Sequence, residues 1–251
     1  MLSVILGGVE LNDPSSPWGY LEIDDIDGWW NSPAAKQDQN SRVNQDGDYP
    51  AETYYESRFI TLAGALAAPS ASARWAGYEM ISGLLAQGER KLTINADGNT
   101  RWAIVGRNGQ PEIDVVANRL IEYQMTLKAT DPYKYGKPHE EPGAVGAAID
   151  LFHRGNAIAW PVITVTGSMP GGYELTLGGR LVEVIKPLAS GSTHTIDMRT
   201  GILKENGDRA MKVFGTAEYF GIKPGVVQSF WSTPRTTGSG SVKINFNDTY
   251  I

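Results

Sequence analysis

The residues able to do chemistry are few and scattered. There are three histidines, His139, His153 and His194, and no cysteine. Without cysteine there is no disulfide, thiolate nucleophile or thiolate metal ligand. No two histidines stand at zinc-ligand spacing, so each reads as a structural or solvated ring. Asp24, Asp25 and Asp27, within the acid-rich Glu22–Gly28, come nearest to a calcium pattern. Their spacing does not fit an EF-hand loop, whose ligands alternate along a longer segment, and the stretch reads as a solvated turn. Glu140 and Glu141 are adjacent carboxylates, whereas a glycosidase holds two carboxyl groups across a sugar. No dinucleotide fingerprint, phosphate loop or nucleophile elbow occurs. Trp18, Trp29, Trp30, Tyr49, Tyr54 and Tyr55 form a dense aromatic region. Such rings can stack on sugars or bases, but more often fill cores and subunit contacts. Asn247-Asp248-Thr249 matches a glycosylation sequon, which matters only on secretion. No catalytic, cofactor-binding or metal-binding residue is assigned, and no cofactor is expected.

The elements that would position a site point to a mainly β protein. The chain has 251 residues, with 41% apolar residues, 29 glycines and 14 prolines. That length suits two domains, and the turn-formers favour strands. Met1–Gly8 is apolar but short and lacks a basic leader, so it reads as a strand and turn and not as a signal peptide. No apolar run is long enough to span a bilayer, and no membrane insertion is expected. Net charge is −6, unevenly divided. Residues 1–132 carry 18 acids and 10 bases, a net of −8, while 133–251 carry 10 acids and 12 bases, a net of +2. An acidic first half argues against static nucleic-acid binding there.

The first half reads as strands around one helix. Gly7-Gly8 joins Leu2–Leu6 to Val9–Leu11 as a hairpin. Asn31–Pro50 is polar and too long for a hairpin turn, which predicts a functional or partner-ordered loop. Tyr54–Leu66 reads as a strand. Ser70 is an N-cap candidate for a helix ending at Gly88, with Trp75, Tyr78, Ile81, Leu84 and Leu85 as its core face. Asp97-Gly98 turns a hairpin, Asn108-Gly109 makes a further turn, and Arg119–Ala129 is a long strand. It leads into Asp131-Pro132-Tyr133-Lys134-Tyr135, where proline stops the ladder. The Pro/Gly/Glu-rich run Gly136–Gly146 follows. The expected division is 1–135, a linker at 136–154, and 155–251.

The second half reads as short strands at regular intervals. Trp160-Pro161 leads a strand ending at Gly167. Candidates at Tyr173–Leu177, Arg180–Lys186, Ser192–Met198, Ile202–Lys204, Arg209–Phe214, Glu218–Phe220, Val226–Trp231 and Ser241–Phe246 follow, with Gly178-Gly179, Thr200-Gly201, Asn206-Gly207 and Pro224-Gly225 as separators. This pattern predicts a sandwich or barrel. In the last strand Val242, Ile244 and Phe246 share one face.

Several of these features together resemble the distal tail proteins of long-tailed phages. They are the Gly-Gly start, Asp46-Gly47 before a strand carrying Arg58, a helix with Leu84-Leu85 near its end, and the close at Asp131-Pro132-Tyr133. Gly155-Asn156 before a proline-led strand and Thr195-Ile196-Asp197-Met198 continue the match through the second half. The resemblance implies a ring-forming, split-barrel-like β domain with one helix, then a galectin-like β-sandwich. It implies a structural protein, not an enzyme, in the virion tail tip, assembled in the host cytoplasm. Its first domains would close a homo-hexameric ring joining the tail tube protein to the tail-tip hub or tail-associated fibre protein. The second domains would project outward as attachment points for receptor-binding proteins, and DNA would pass the channel without specific binding. The alternatives are a carbohydrate-binding module contacting host-surface glycans and, third, a glycan-cleaving enzyme.

Overall fold

A computed structural model describes residues 2–36, 42, 46 and 53–251. It divides into two compact units, residues 1–134 with the final Ile251, and 135–250. The described residues are mainly strand, with a single α-helix among them.

In the first unit the strands are β1 (Ser3–Leu6), β2 (Val9–Glu10), β3 (Tyr20–Asp27), β4 (Ala35–Lys36), β5 (Tyr54–Tyr55), β6 (Arg58–Ala67), β7 (Arg90–Ala96), β8 (Asn99–Arg107), β9 (Glu112–Ala117) and β10 (Leu120–Ala129). The antiparallel path runs β2-β1-β7-β8-β10-β6-β3, and β9 pairs with the first half of β10. Two-residue turns at Gly7-Gly8 and Asp97-Gly98 have positive φ at both positions, the geometry that matches strand twist in tight hairpins. Strands β2 and β3 end the path without pairing to each other, so the sheet does not close into a barrel among the described residues. Leu6, Leu21, Ile60, Leu62, Leu66, Leu92, Val105, Ile121 and Leu127 alternate inward to build its core.

The acid-rich Glu22–Gly28, expected as a turn, lies mostly in a strand. Leu21, Ile23 and Ile26 are buried on one face of β3. The carboxylates favour a turn by type, but they occupy the outward positions, where solvated charge costs the strand little.

Helix α1 (Ala71–Gly83) starts as expected. Ser70 Oγ accepts the Ala73 amide at 3.1 Å. The helix stops at Gly83, not Gly88, and its expected core face is only partly right. Gly77 and Ile81 are its buried residues, and Trp75 is 57% exposed. A Cβ on Gly77 would lie 2.1 Å from Leu66 Cδ2, so the helix sits down on its glycine. At about 100° per residue, Trp75 then points to the far side.

In the second unit the strands are β11 (Lys134–Ala144), β12 (Ala148–Leu151), β13 (Val162–Ser168), β14 (Tyr173–Leu177), β15 (Arg180–Val184), β16 (Thr193–Asp197), β17 (Ile202–Glu205), β18 (Asp208–Arg209), β19 (Phe214–Ala217), β20 (Gln228–Pro234) and β21 (Ser239–Tyr250). Two sheets, β18-β17-β16-β13-β21-β11 and β12-β20-β14-β15-β19, enclose one core. Val242, Ile244 and Phe246 face it, as the alternation requires.

The stretch expected as a linker, 136–154, carries β11 and β12. Pro138 and Pro142 suggested a break. They are four residues apart, so both missing amides fall on the same edge of β11. β11 pairs with β21, and just past its end Val145 N donates to Gly240 O at 3.0 Å.

Candidate functional site: an acidic strand face and its buried basic anchor

The outward face of β3, β6, β10 and β9 is acidic. Register sets its rows. Glu22, Ala65, Glu122 and Asp114 lie side by side across the four strands, and Asp25, Ala63, Gln124 and Glu112 form the next row. Between Ile23 and Asp25 the pairing shifts by a bulge, which leaves Asp24 as an extra outward carboxylate. Ala63 and Ala65 are too short to fill the space between their charged neighbours. A shallow cleft of 220 Å³ results, lined by Asp24, Ala63, Gly64, Glu112, Asp114 and Glu122 among others.

Gly64 is required at its floor. A Cβ there would approach Glu22 O to 2.1 Å and Tyr123 Oη to 2.8 Å. Tyr123 lies beneath and donates its hydroxyl to Glu22 O at 3.3 Å. Burial, and then the charge of Asp24, push its phenol well above the ordinary range.

Neighbouring strands are about 5 Å apart, so Glu22 and Glu122 stand roughly 10 Å apart across Ala65. That is too far for chelation. No group of three His, Cys, Asp or Glu able to hold a metal occurs among the described residues. The arrangement is a diffuse negative surface, able to repel an anionic polymer at close range.

Behind the end of this face lies a pair of buried cations. Arg58 is 1% exposed and Lys134 is 3% exposed. Arg58 Nε donates to Pro132 O at 3.0 Å, and its Nη1 donates to the carbonyls of Gly28 (2.9 Å), Trp29 (3.4 Å) and Asn31. Among the described residues its Nη2 is buried without a partner. Lys134 Nζ donates to Trp29 O at 2.9 Å and sits 5.7 Å from the Trp29 ring centre. Burial first, then the charges of Arg58 and Arg101, pull Lys134 down to about 8. Burial lowers Arg58 as well. The two cations clasp the carbonyls that open the polar segment after β3, tying residues 28–31 to the close at Pro132. The base of that segment is a ribbon in which Ala35 pairs with Tyr55 and Lys36 with Tyr54. The expectation of a partner-ordered loop over Asn31–Pro50 falls largely outside the described residues, as does Tyr49.

The aromatic region divides. Trp29 is buried and Trp18 packs partly against the core, while Trp30, Tyr54 and Tyr55 are exposed. The histidines and the Glu140-Glu141 pair all belong to the second unit, whereas the acidic face belongs to the first. His153 and His194 are buried, and burial lowers both. His139 Nε2 lies 2.9 Å from Asp248 Oδ1 and its ring stacks on Phe246. Glu140 pairs with Lys243 at 3.1 Å, and these contacts hold its carboxyl below the usual range.

The role of the basic anchor was missed in the sequence. Its signal is parity: Arg58 alternates with Ile60, Leu62 and Leu66, which marks an inward cation.

No protein-family model matches the chain, and no curated protein matches it. Solved structures do. The chain is similar to the crystal structure of the Dit protein of phage SPP1, described as a paradigm of hub adsorption apparatus in phages infecting Gram-positive hosts. The TM-score is 0.76 at 15% identity, over 100% of both chains. It is also similar to chains of the phage p2 baseplate in its activated conformation. With Ca the TM-score is 0.53 at 7% identity, covering 97% of this chain and 98% of that one. With Sr it is 0.51 at 8%, covering 96% and 97%. The chain has the fold of a distal tail protein of long-tailed phages.

Proposed function

We infer that this chain is a structural protein of a phage tail tip, and that six copies close a ring joining the tail tube to the hub or fibre. The observation that carries this reading is the likeness to the SPP1 Dit protein along the whole of both chains, two units included. The acidic face supports a place for it in the ring. Turned toward a channel, the rows Glu22–Asp114 and Asp25–Glu112 would keep passing DNA from adhering. At physiological salt the Debye length is about 8 Å, so the repulsion acts near the wall and fades toward the axis. Ring closure would also cover free sheet edges such as that of β3. The second unit would project outward as an attachment point for receptor-binding proteins, in a virion assembled in the host cytoplasm. No enzymatic role is part of this reading.

Native mass spectrometry of the purified chain, alone and with its tail tube and hub partners, tests it. Six-fold species are expected. A chain that stays monomeric beside those partners would defeat the ring.

A further inference from the structure

The outer face of the sheet β12-β20-β14-β15-β19 carries one large exposed ring. Trp231 stands near the middle of β20 and is 45% exposed. Its lateral neighbours are small, Ala148 on β12 and Thr176 on β14, so both sides of the indole are open. Along β20 the adjacent outward residues are Ser229 and Thr233. Asp150 pairs with Ser229 and Glu174 with Thr233. The two carboxylates therefore occupy opposite diagonals around Trp231, each about 7–8 Å away by strand geometry.

Asp150 is held in place. Ser229 Oγ donates to Asp150 Oδ1 at 2.7 Å. Beyond Glu174, Glu183 is fixed by Arg235 at 2.7 Å. Glu174 itself has no ion-pair partner among the described residues, which leaves its oxygens free to accept.

We propose that this face is a binding platform for a neutral glycan, with one pyranose ring stacked on Trp231 and its hydroxyls donating to Asp150 and Glu174. The surroundings select this occupant. The centre of a protein–protein contact is apolar and poor in charge. Here a lone indole is ringed by hydroxyls, carboxylates and small side chains. A pyranose offers an apolar face of C–H groups to the ring and hydroxyl donors at its rim. The two diagonal carboxylates would disfavour an anionic sugar, so the ligand is uncharged. The proposal is independent of the hexameric ring, because every group it uses lies within one sheet of one unit.

The full-length protein is titrated with cellohexaose, chitohexaose and lactose, following tryptophan fluorescence and isothermal calorimetry. Saturable binding to at least one is expected, with a dissociation constant of about millimolar or below. Trp231→Ala should weaken it at least about tenfold, as loss of a stacked ring does. Asp150→Asn and Glu174→Gln should each weaken it about threefold to tenfold. All three positions are at least partly exposed, so circular dichroism and the melting temperature should not change. Absence of saturable binding to all three sugars overturns the proposal. So does binding that Trp231→Ala leaves intact. Loss of a tail-protein contact in Trp231→Ala, with no sugar binding in the parent, would assign the ring to a protein interface and overturn it too.

Discussion

Replacing Lys134 by methionine should change how stability depends on pH more than it changes stability itself. Lys134 is 3% exposed, and its ammonium contacts the Trp29 carbonyl. Burial, helped by Arg58 and Arg101, takes it from an ordinary 10.5 to about 8. The folded chain therefore binds this proton less readily than the unfolded chain does. Between pH 8 and 10.5 the unfolded state holds more protons, so stability rises with pH through that window. A shift from 10.5 to about 8 corresponds to about 3 kcal/mol of penalty at neutral pH, of which about 2–3 kcal/mol is relieved by pH 10. Methionine keeps much of the stem's packing and cannot titrate. The buried phenols of Tyr123 and Tyr173 work the other way, and only above pH 10, because burial raises both. The assay is urea unfolding of parent and variant at pH 7, 8.5 and 10. The variant's stability relative to the parent should fall by about 2–3 kcal/mol from pH 7 to pH 10. Parallel curves, with a constant difference across the three pH values, would refute the claim that Lys134 is a charge buried at a cost.

Three other outcomes are expected. Gly64→Val should destabilise the first unit by about 1–3 kcal/mol in the same urea unfolding, because its Cβ would meet the Glu22 carbonyl, which belongs to backbone. The parent should bind duplex DNA weakly even at low salt. The triple variant Glu22→Lys, Asp25→Lys, Glu122→Lys should bind it, with affinity falling about 10³-fold or more between about 50 and 200 mM salt if six or more phosphates are contacted; fluorescence anisotropy at two salt concentrations reads both. Residues 135–250 expressed alone should fold as a β domain, since they form a compact unit with a core of their own; a collapsed amide spectrum in proton NMR would rule this out.

Tight hairpins were the most legible part of the sequence. Gly7-Gly8, Asp97-Gly98, Gly178-Gly179 and Asn206-Gly207 each turn a pair of strands, and each has positive φ at both positions. Local chemistry decides such turns, so local reading finds them. The errors occurred where a local preference met a tertiary arrangement that made it harmless. Asp24, Asp25 and Asp27 suggested a turn, yet the outward side of a half-buried strand tolerates charge. Pro138 and Pro142 suggested a linker, yet both lie within strand β11, four residues apart and so with their missing amides on one edge. Trp75 suggested a core stripe, yet Gly77 drew the helix down on another face.

The candidate site was less legible than the fold, for a related reason. Composition showed an acidic first half, which is a sum over residues. It could not show that Glu22, Ala65, Glu122 and Asp114 lie in one row, because that row is made by pairing segments distant in the chain. The same holds for Trp231, whose open flanks depend on Ala148 and Thr176 arriving from two other strands. Arg58 and Lys134 lie between these extremes. Alternation within β6 marks Arg58 as inward, and burying a cation demands acceptors. What alternation cannot supply is their identity, four carbonyls that Gly28, Trp29, Asn31 and Pro132 bring together only when the chain has closed. A functional surface on a β protein is a property of register. Register is specified strand by strand through burial, so it is legible only after the partners of each strand are known.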